Sequence, residues 1–416
     1  MTSVERVPNG VGDEAPVYVA GHNFAVRRDS LRHLRRGLRS KSAGKGISDV
    51  QARASALCEA IERYSGLFQG YETRRRATYA ALGEEAIHPN ACMNFSERQY
   101  RERDRWNVTD SQFQIVPAPF DPDAALEWSP VWSLTEERFR LLPTSYLYFA
   151  YPHDPQAFFC WPDSNGNAAG NTTAEAVLQG FMELVERDAV CIWWYNRLRR
   201  PGVDLDSFDD PALQRIRARY LELDRELWAL DLTADLGIPT VAAITRRTDK
   251  PVEDILLAFG SHFDAGVALR RAVCELNQFM PAVLPIGRDG SGDYAYHDEE
   301  AIRWWKTATV ASEPYLLPSA TEASRARSDY EDRSTDDVRD DVLLCRALVE
   351  ERGMEMLVLD QTRPDIGMPV VKVIVPGMRH FWARLGPGRL YDVPVELGWV
   401  PRPTREAELN PIPMFV

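Results

Sequence analysis

The sequence predicts an α/β fold, because segments with helical apolar periodicity alternate with short β-branched runs. The helical segments lie at residues 49–69, 174–195, 211–223, 264–280 and 342–351. The β-branched runs, which are typical of buried strands, lie at residues 240–245, 255–259, 356–359 and 370–375. No long linker interrupts this alternation, so we expect one large domain over residues 44–400 with mixed sheets.

Composition excludes several classes of protein. The 416 residues are 44% hydrophobic and 27% charged, which argues against disorder and allows a sizeable core. The excess of 62 acidic over 49 basic residues argues against a uniformly basic nucleic-acid binder. Six cysteines without a Cys-x-x-Cys pair, and an N-terminus without a signal-peptide pattern, predict a cytoplasmic protein with free thiols.

Three parts of the chain depart from the regular pattern. Residues 1–43 are weakly patterned, although the basic run at 30–39 is compatible with a helix. Residues 319–341 are polar and charged, so we expect an exposed and mobile loop there. Residues 401–416 form a tail punctuated by prolines.

One short pattern occurs on two predicted helices. Glu59-Ala-Ile-Glu62-Arg63 lies in the first helix and Glu183-Leu-Val-Glu186-Arg187 in the second. Helical spacing places Ser55 on the acidic face of the first helix, and Glu175 and Gln179 on that of the second. The apolar stripe of the first helix is expected to comprise Val50, Ala54, Leu57, Ile61, Tyr64 and Phe68.

The simplest interpretation of each acidic face is a solvated surface with weak Glu–Arg pairs. A site is favoured because the pattern repeats, and because a Gly/Asn loop suited to anions precedes the second helix. A third helix also carries Arg271 and Glu275 on one face, opposite Leu269, Val273 and Leu276. If the three faces converge, several carboxylates meet several arginines.

Clustered carboxylates repel one another unless cations lie between them, and Mg²⁺ prefers oxygen ligands. Arginines beside the metal would hold phosphate oxygens. A nucleoside triphosphate with Mg²⁺ uses both sets of groups at once. A di-iron bundle is rejected because Glu-x-x-His pairs are missing, and a P-loop is excluded because no Walker-type run occurs.

Five blocks, in order, resemble the YcaO family. They are GKGISDVQARASALCEAIERYSG at 44–66, NGNAAGNTTAEAVLQGFMELVERDA at 165–189, ALRRAVCELNQ at 268–278, DQTRPDIGMPVVKVIVPGM at 360–378 and GPGRLYDVPVELGW at 386–399. The resemblance covers roughly residues 40–416. It implies an α/β domain with an ATP site built from the polar faces of helices and not from a P-loop.

The resemblance also assigns roles to residues. It implies that the metal-binding acids, which hold Mg²⁺, are Glu59, Glu62, Glu183 and Glu186. The residues it implies around the nucleotide are Arg63, Asn171, Glu175, Arg187, Arg271 and Glu275, with Ser55 and Gln179 as further lining residues. The family's N-terminal Lys and Ser contacts have no clear match in residues 1–44.

Members of the family activate a peptide-bond oxygen with ATP. In azoline-forming members, a Cys, Ser or Thr side chain of a ribosomal precursor peptide closes to a thiazoline or oxazoline. Arg63 and Arg187 are the expected catalytic side chains. The end of the chain, Pro411-Ile-Pro413-Met-Phe415-Val416, resembles a cyclodehydratase tail, which implies that the Val416 carboxylate lies near the active site.

The resemblance further implies a homodimer and a separate protein that binds the leader peptide. Thioamide formation and macroamidine formation are alternatives within the family. Two alternatives belong to other functional classes, namely a non-catalytic peptide-binding YcaO scaffold subunit and an ATP-dependent enzyme acting on a small molecule or a folded protein. No nucleic-acid or membrane partner is expected.

Overall fold

The computed structural model describes residues 2–22, 40–108, 113–152, 158–160, 162–287, 291–296 and 298–415, and it confirms the α/β class. The described strands are β1 Ser3–Val7, β2 Val17–His22, β3 Ser40–Lys45, β4 Arg75–Ala77, β5 Leu126–Ser133, β6 Arg138–Pro143, β7 Asn167–Ala169, β8 Arg225–Asp231, β9 Thr240–Arg247, β10 Leu256–Ser261, β11 Leu357–Asp360 and β12 Val370–Ile374. The described helices are α1 Asp49–Ser65, α2 Tyr79–Leu82, α3 Pro89–Met93, α4 Glu97–Arg101, α5 Arg103–Trp106, α6 Thr144–Leu147, α7 Thr173–Asn196, α8 Pro211–Glu222, α9 Ala265–Val283, α10 Glu299–Thr307, α11 Val338–Glu351 and α12 Arg389–Glu396. The basic run at 30–39 lies outside the described residues.

The chain divides into two compact units, each assembled from separate stretches of sequence. The first unit comprises Met1–Ala60, Trp193–Ser334 and Asn410–Val416. The second comprises Ile61–Ile192 and Thr335–Leu409. The chain therefore crosses between units within the regular pattern, which explains why no linker marks the boundary in the sequence.

The first unit contains two antiparallel three-stranded sheets, ordered β1-β2-β3 and β8-β9-β10. Helix α9 packs on β9 and β10, and it begins after Asp264, whose side chain accepts from the Gly266 N–H. Gly260 in β10 permits this close packing, because a Cβ there would lie 2.2 Å from the Ala268 carbonyl oxygen of α9. The β8–β10 sheet with α9 thus forms a closely packed layer pair.

Helix α1 begins after Ser48, whose hydroxyl accepts from the Gln51 N–H, and packs on the β1–β3 sheet. Two predictions for this helix were wrong. It ends at Ser65 and not at residue 69, and Val50 and Ala54 of the expected stripe are exposed. The buried face consists instead of Ala52, Ala56 and Ala60. Close approach to β3 explains this choice, because only small side chains fit there.

The second unit is built on one antiparallel sheet with the order β4-β5-β11-β12-β7, and β6 pairs with β5. Strand β11 pairs with β12 over four residues but with β5 over only two. Helix α7 lies against the Gly166 turn next to this sheet. Gly180 permits this close contact, since a Cβ at that position would lie 2.5 Å from the Gly166 carbonyl oxygen. The sheet and the preceding turn therefore fix the position of the long helix.

Segment 319–341 is less irregular than the sequence suggests. Its last residues, from Val338, belong to α11, whose N-cap is Asp337. In the first unit, the Arg325 N–H donates to the Gly202 carbonyl at 2.7 Å, so this stretch is tied to the chain near β8. Across the part of the chain that the structure describes, each helix is too short or too polar to cross a bilayer.

We expect Gly44→Ala to destabilise the protein, because its Cβ would lie 2.1 Å from the Ala56 backbone nitrogen of α1. Neither backbone can move without breaking the β2–β3 pairing or the helix, so the cost should reach about 1–3 kcal/mol. Urea denaturation measures this loss. Gly21→Ala in β2 is the matched control, since the atoms closest to its Cβ are the side-chain hydroxyls of Thr2 and Ser3, and the Ser3 backbone nitrogen is at an ordinary 3.8 Å. Equal stability of the two variants would contradict the proposed close packing.

Candidate active site

The loop that leads into α7 is held by a buried lysine. Lys372 in β12 donates from Nζ to the carbonyl oxygens of Asp163, at 2.7 Å, and Asn165, at 3.0 Å. It also donates to the Asn167 side-chain oxygen at 3.2 Å. A buried ammonium with three acceptors is strongly directional, so Lys372 fixes the glycine-punctuated loop on the sheet. The sequence offered no sign of this lysine beyond a single charge within a β-branched run.

Two titratable groups complete the anchor around Lys372. Burial alone would raise the pKa of the Asp163 carboxyl, but Lys372 and His380 bring it below its usual value. The same burial lowers the pKa of His380 to about 4, against the opposing effect of Asp163 at 3.7 Å. His380 is therefore neutral at pH 7, and its Nδ1 accepts from the Asn165 side-chain amide at 2.5 Å.

The first turn of α7 is closed by a reciprocal cap. The Glu175 N–H donates to the Thr172 hydroxyl at 3.2 Å, and the Glu175 carboxylate accepts from the Thr172 N–H at 3.3 Å and from the Asn171 N–H at 2.7 Å. This is a capping box, which satisfies backbone donors at the helix start. Asn171 is exposed and Glu175 is half-buried. Their predicted contacts with a nucleotide stay a prediction.

Three of the predicted residues meet on one face of α7. The Arg187 guanidinium donates to the Glu186 carboxylate and, at 3.2 Å, to the Glu183 carboxylate. It also lies over the Phe381 ring, with 4.3 Å between the guanidinium carbon and the ring centroid. Glu186 is buried and Glu183 is half-buried. The arginine thus neutralises two closely spaced carboxylates in a partly desolvated place.

Residues missed by the sequence reasoning support this cluster. Asp188 is buried beside it and binds Arg389, with 2.6 Å between the carboxylate and Nη2. The same carboxylate accepts from the Arg379 N–H at 2.9 Å. Asp188 therefore ties α7 to the segment 379–389 that carries Phe381. Asp188 directly follows the Glu-x-x-Glu-Arg pattern in the sequence. Its partners lie about 200 residues away, so the sequence pattern does not reveal them.

In the first unit, strand β3 connects two of the acidic helices. The Ala43 N–H donates to the Glu59 carboxylate of α1 at 2.9 Å. Two residues further, Lys45 pairs with Glu275 of α9, with 2.5 Å between Nζ and Oε2. The Arg271 guanidinium donates to the Ser261 carbonyl of β10 at 3.2 Å. Lys45 is a candidate site residue that the sequence reasoning missed, although it stands within the first matched block.

The remaining predicted residues are placed as follows. Ser55, Glu62 and Gln179 are half-buried, and Arg63 is exposed. Val416 lies outside the described residues. The residues before it pack in the first unit, where the Met414 N–H donates to the Tyr195 hydroxyl and Phe415 contacts Trp194. Within the described ranges, His, Cys, Asp and Glu side chains nowhere form a group of three able to hold a metal ion.

The family described as YcaO cyclodehydratase, ATP- and Mg²⁺-binding, matches residues 43–379. The chain belongs to the YcaO family. The match includes every predicted site residue except Val416, and it also includes Lys45.

Solved structures agree with this YcaO assignment. A heterocyclase in complex with substrate and cofactor is 50% identical and covers 99% of this chain, with a TM-score of 0.92. The heterocyclase TruD is 51% identical and covers 88% of this chain, with a TM-score of 0.80. This chain spans 54% and 51% of those two chains.

A more distant YcaO protein confirms the fold. The Methanopyrus kandleri YcaO bound with AMPPCP and Mg²⁺ is 22% identical, covers 91% of this chain and has a TM-score of 0.58. This chain spans 86% of it.

We expect the His380 anchor to make stability depend on pH. An unfolded His titrates near 6.5, whereas the folded pKa of His380 is about 4. Between these values the unfolded chain binds more protons, so stability is lost as the pH falls. The loss from this group should reach about 2 kcal/mol between pH 7 and pH 5. Urea denaturation at both pH values measures it.

His380→Asn is the control for this expectation. Its amide oxygen can accept from Asn165 but cannot titrate, so the variant should lose less stability on acidification. Identical losses in the variant and the original protein would show that His380 does not carry the effect.

Proposed function

We propose that this chain is an ATP-dependent cyclodehydratase that acts on the backbone of a ribosomal precursor peptide. A Cys, Ser or Thr side chain of the peptide adds to the preceding amide carbonyl carbon. The γ-phosphoryl group of ATP is then transferred to the resulting oxyanion. Loss of phosphate, with the amide proton, leaves a thiazoline or oxazoline ring and ADP. Half of the residues are shared with a heterocyclase over nearly the whole chain, and this observation supports the proposal most strongly.

The cluster on α7 supports a role for phosphoryl transfer. An amide-derived oxygen is a poor leaving group, and its phosphorylation requires that negative charge on the phosphates be balanced. Arg187 is partly buried and its planar guanidinium can bind two phosphate oxygens. Phe381 on one ring face restricts where the guanidinium can point. We assign Arg187, with the exposed Arg63, to hold the phosphates.

The acids fit Mg²⁺ by their chemistry. Glu183 and Glu186 present carboxylate oxygens about one helical turn apart, which are the ligands that Mg²⁺ prefers. Mg²⁺ would supply charge neutralisation at the phosphates. We assign Glu59, Glu62, Glu183 and Glu186 to hold it. Arg187, which now neutralises two of these acids, would then be available to the phosphates.

The first unit supplies further nucleotide-binding candidates. Lys45 and Glu275 form a half-buried pair, and Arg271 lies four residues before Glu275 on the same helix. We assign all three to the surroundings of the nucleotide, together with Ser55, Asn171, Glu175 and Gln179. A lysine paired with an acid can keep its charge in such a place and offer a point charge to phosphate.

The proposal includes partners. A peptide substrate is supported by the related heterocyclase that was solved with substrate. A separate protein that binds the leader peptide, and a homodimer, complete the proposal.

The function is tested by mass spectrometry of a candidate precursor peptide after incubation with ATP, Mg²⁺, this protein and its leader-binding partner. We expect the loss of one water for each ring formed and the release of phosphate. Glu186→Gln should lower both by at least about a hundredfold, since a neutral amide is a weaker metal ligand. Far-ultraviolet circular dichroism checks that the fold persists.

Glu350→Gln serves as the matched control, because Glu350 forms an exposed ion pair with Arg346. That variant should retain activity within about twofold. Full phosphate release by Glu186→Gln would remove Glu186 from the site. ATP consumption with a mass change other than water loss would favour another YcaO reaction, and binding without ATP consumption would favour a scaffold.

We expect Lys45→Met to weaken ATP binding without preventing folding. Loss of the ammonium leaves Glu275 unpaired and removes one positive charge from the nucleotide surroundings. The Michaelis constant for ATP should rise about tenfold or more. Lys306→Met, at an exposed position of α10, is the control and should leave it unchanged. An unchanged constant for Lys45→Met would exclude Lys45 from the nucleotide site.

A further inference from the structure

Phe381 lies in the second unit, in a stretch of chain outside helices and strands between β12 and α12. The side chain is buried, with only 4% of the residue exposed. The guanidinium carbon of Arg187 in α7 lies 4.3 Å from the centroid of its ring. An aromatic face attracts an arginine, and the attraction is stronger where water is excluded. Phe381 therefore holds the guanidinium through an uncharged surface.

The position of the Phe381 side chain is itself fixed by contacts on both sides in the sequence. Two residues before it, the Arg379 backbone N–H donates to the Asp188 carboxylate of α7 at 2.9 Å. Eight residues after it, Arg389 forms an ion pair with the same carboxylate, with 2.6 Å between Nη2 and Oδ2. The neighbouring Trp382 packs edge to face on the Phe381 ring, with 5.6 Å between centroids. The ring is thus attached to the helix that carries the arginine.

The contacts of the Arg187 guanidinium are of two kinds. Glu183 and Glu186 accept hydrogen bonds from it, and these two acids are also assigned to Mg²⁺ in the proposed function. A carboxylate oxygen that binds the metal is less available to the arginine. The ring of Phe381 has no lone pair for Mg²⁺ and does not compete for it. The contact with the ring can therefore persist when the metal occupies the acids.

This difference determines when the ring matters for nucleotide binding. A long arginine side chain has many rotamers, and restricting them on binding costs free energy. Without metal, the two carboxylates already restrict the side chain of Arg187. With metal on the acids, the contact with Phe381 keeps the guanidinium in a restricted position. The ring should therefore favour nucleotide binding more when Mg²⁺ is present than when it is absent.

We propose that Phe381 is a positioning residue, which keeps the Arg187 guanidinium directed at the nucleotide phosphates once Mg²⁺ has bound the acids; this inference rests on the proposed function. Phe381 acts through the arginine, because an apolar ring has no donor to offer a phosphate. The alternative is that the ring only fills space in the core. A ring that only fills space contributes equally to nucleotide binding with and without metal.

Calorimetric titration of the full chain with AMPPCP, with Mg²⁺ and with the metal removed by chelator, tests the proposal. Phe381→Leu keeps a large apolar side chain and removes the aromatic face. With Mg²⁺, this variant should bind AMPPCP about threefold to tenfold more weakly than the original protein. Without Mg²⁺, the two proteins should agree within about twofold, because Glu183 and Glu186 then still hold the arginine.

Phe381→Met provides a second variant without an aromatic face and should show the same dependence on metal. Phe95→Leu is the matched control, because Phe95 is 3% exposed and its ring also lies under a guanidinium, that of Arg384, at 4.2 Å. The control should bind AMPPCP as the original protein does in both conditions. Thermal melting shows which variants are folded.

Three results would overturn the positioning role. The first is an equal loss of affinity with and without Mg²⁺ in a folded variant of Phe381, which indicates a packing residue. The second is unchanged affinity with Mg²⁺ in such a variant. The third is the same metal-dependent loss in Phe95→Leu, since Phe95 does not contact the arginine of the proposed site.

The binding assay does not require cyclisation of a peptide, so it separates this proposal from the proposed function. The expected dependence on metal, without water loss from the precursor peptide, would refute the proposed function and keep the positioning role. Cyclisation by the original protein, with a metal-independent loss in Phe381→Leu, would do the reverse. Failure of the original protein to bind AMPPCP would refute both.

Discussion

The contact between Arg187 and the two carboxylates of Glu183 and Glu186 is the interaction on which the proposed site depends. Three charged groups share a partly desolvated place, and the arginine pairs with both acids. Such an arrangement is stable only while a cation stays between the carboxylates. A metal ion bound to a nucleotide can take over this role and leave the arginine for phosphate. The arrangement is therefore suited to exchange one cation for another.

The surrounding contacts restrict the movement of the face of α7 that carries these three residues. Lys372 binds the loop before α7, and Glu175 caps the first turn of that helix. Asp188, further along α7, binds the segment that carries Phe381. In the first unit, β3 plays a similar part, since it contacts Glu59 through a backbone N–H and Glu275 through Lys45. Preorganised charges cost little rearrangement when substrate arrives, which is how such sites favour phosphoryl transfer.

The spacing of residues along the sequence predicts part of the candidate site. Glu183, Glu186 and Arg187 share one face because their positions differ by three and four residues, and the structure places them together. The α9 face was predicted for the same reason. The buried side of α1 was not predicted, because it is decided by the close approach of Gly44 in β3 to the backbone of α1. Lys372 and Asp188 were missed because their partners are distant in sequence, and Lys45 because a single lysine has no periodicity.

The most direct test measures AMPPCP binding by calorimetry, with Mg²⁺ and with the metal removed by chelator, in the original protein and in Glu183→Gln. In the original protein, removal of Mg²⁺ should weaken binding by about tenfold or more, which is at least about 1.4 kcal/mol. Glu183→Gln should bind weakly in both conditions, because its carboxylate no longer holds the metal. Equal affinity with and without Mg²⁺ in the original protein would contradict the exchange of Arg187 for a metal at these acids.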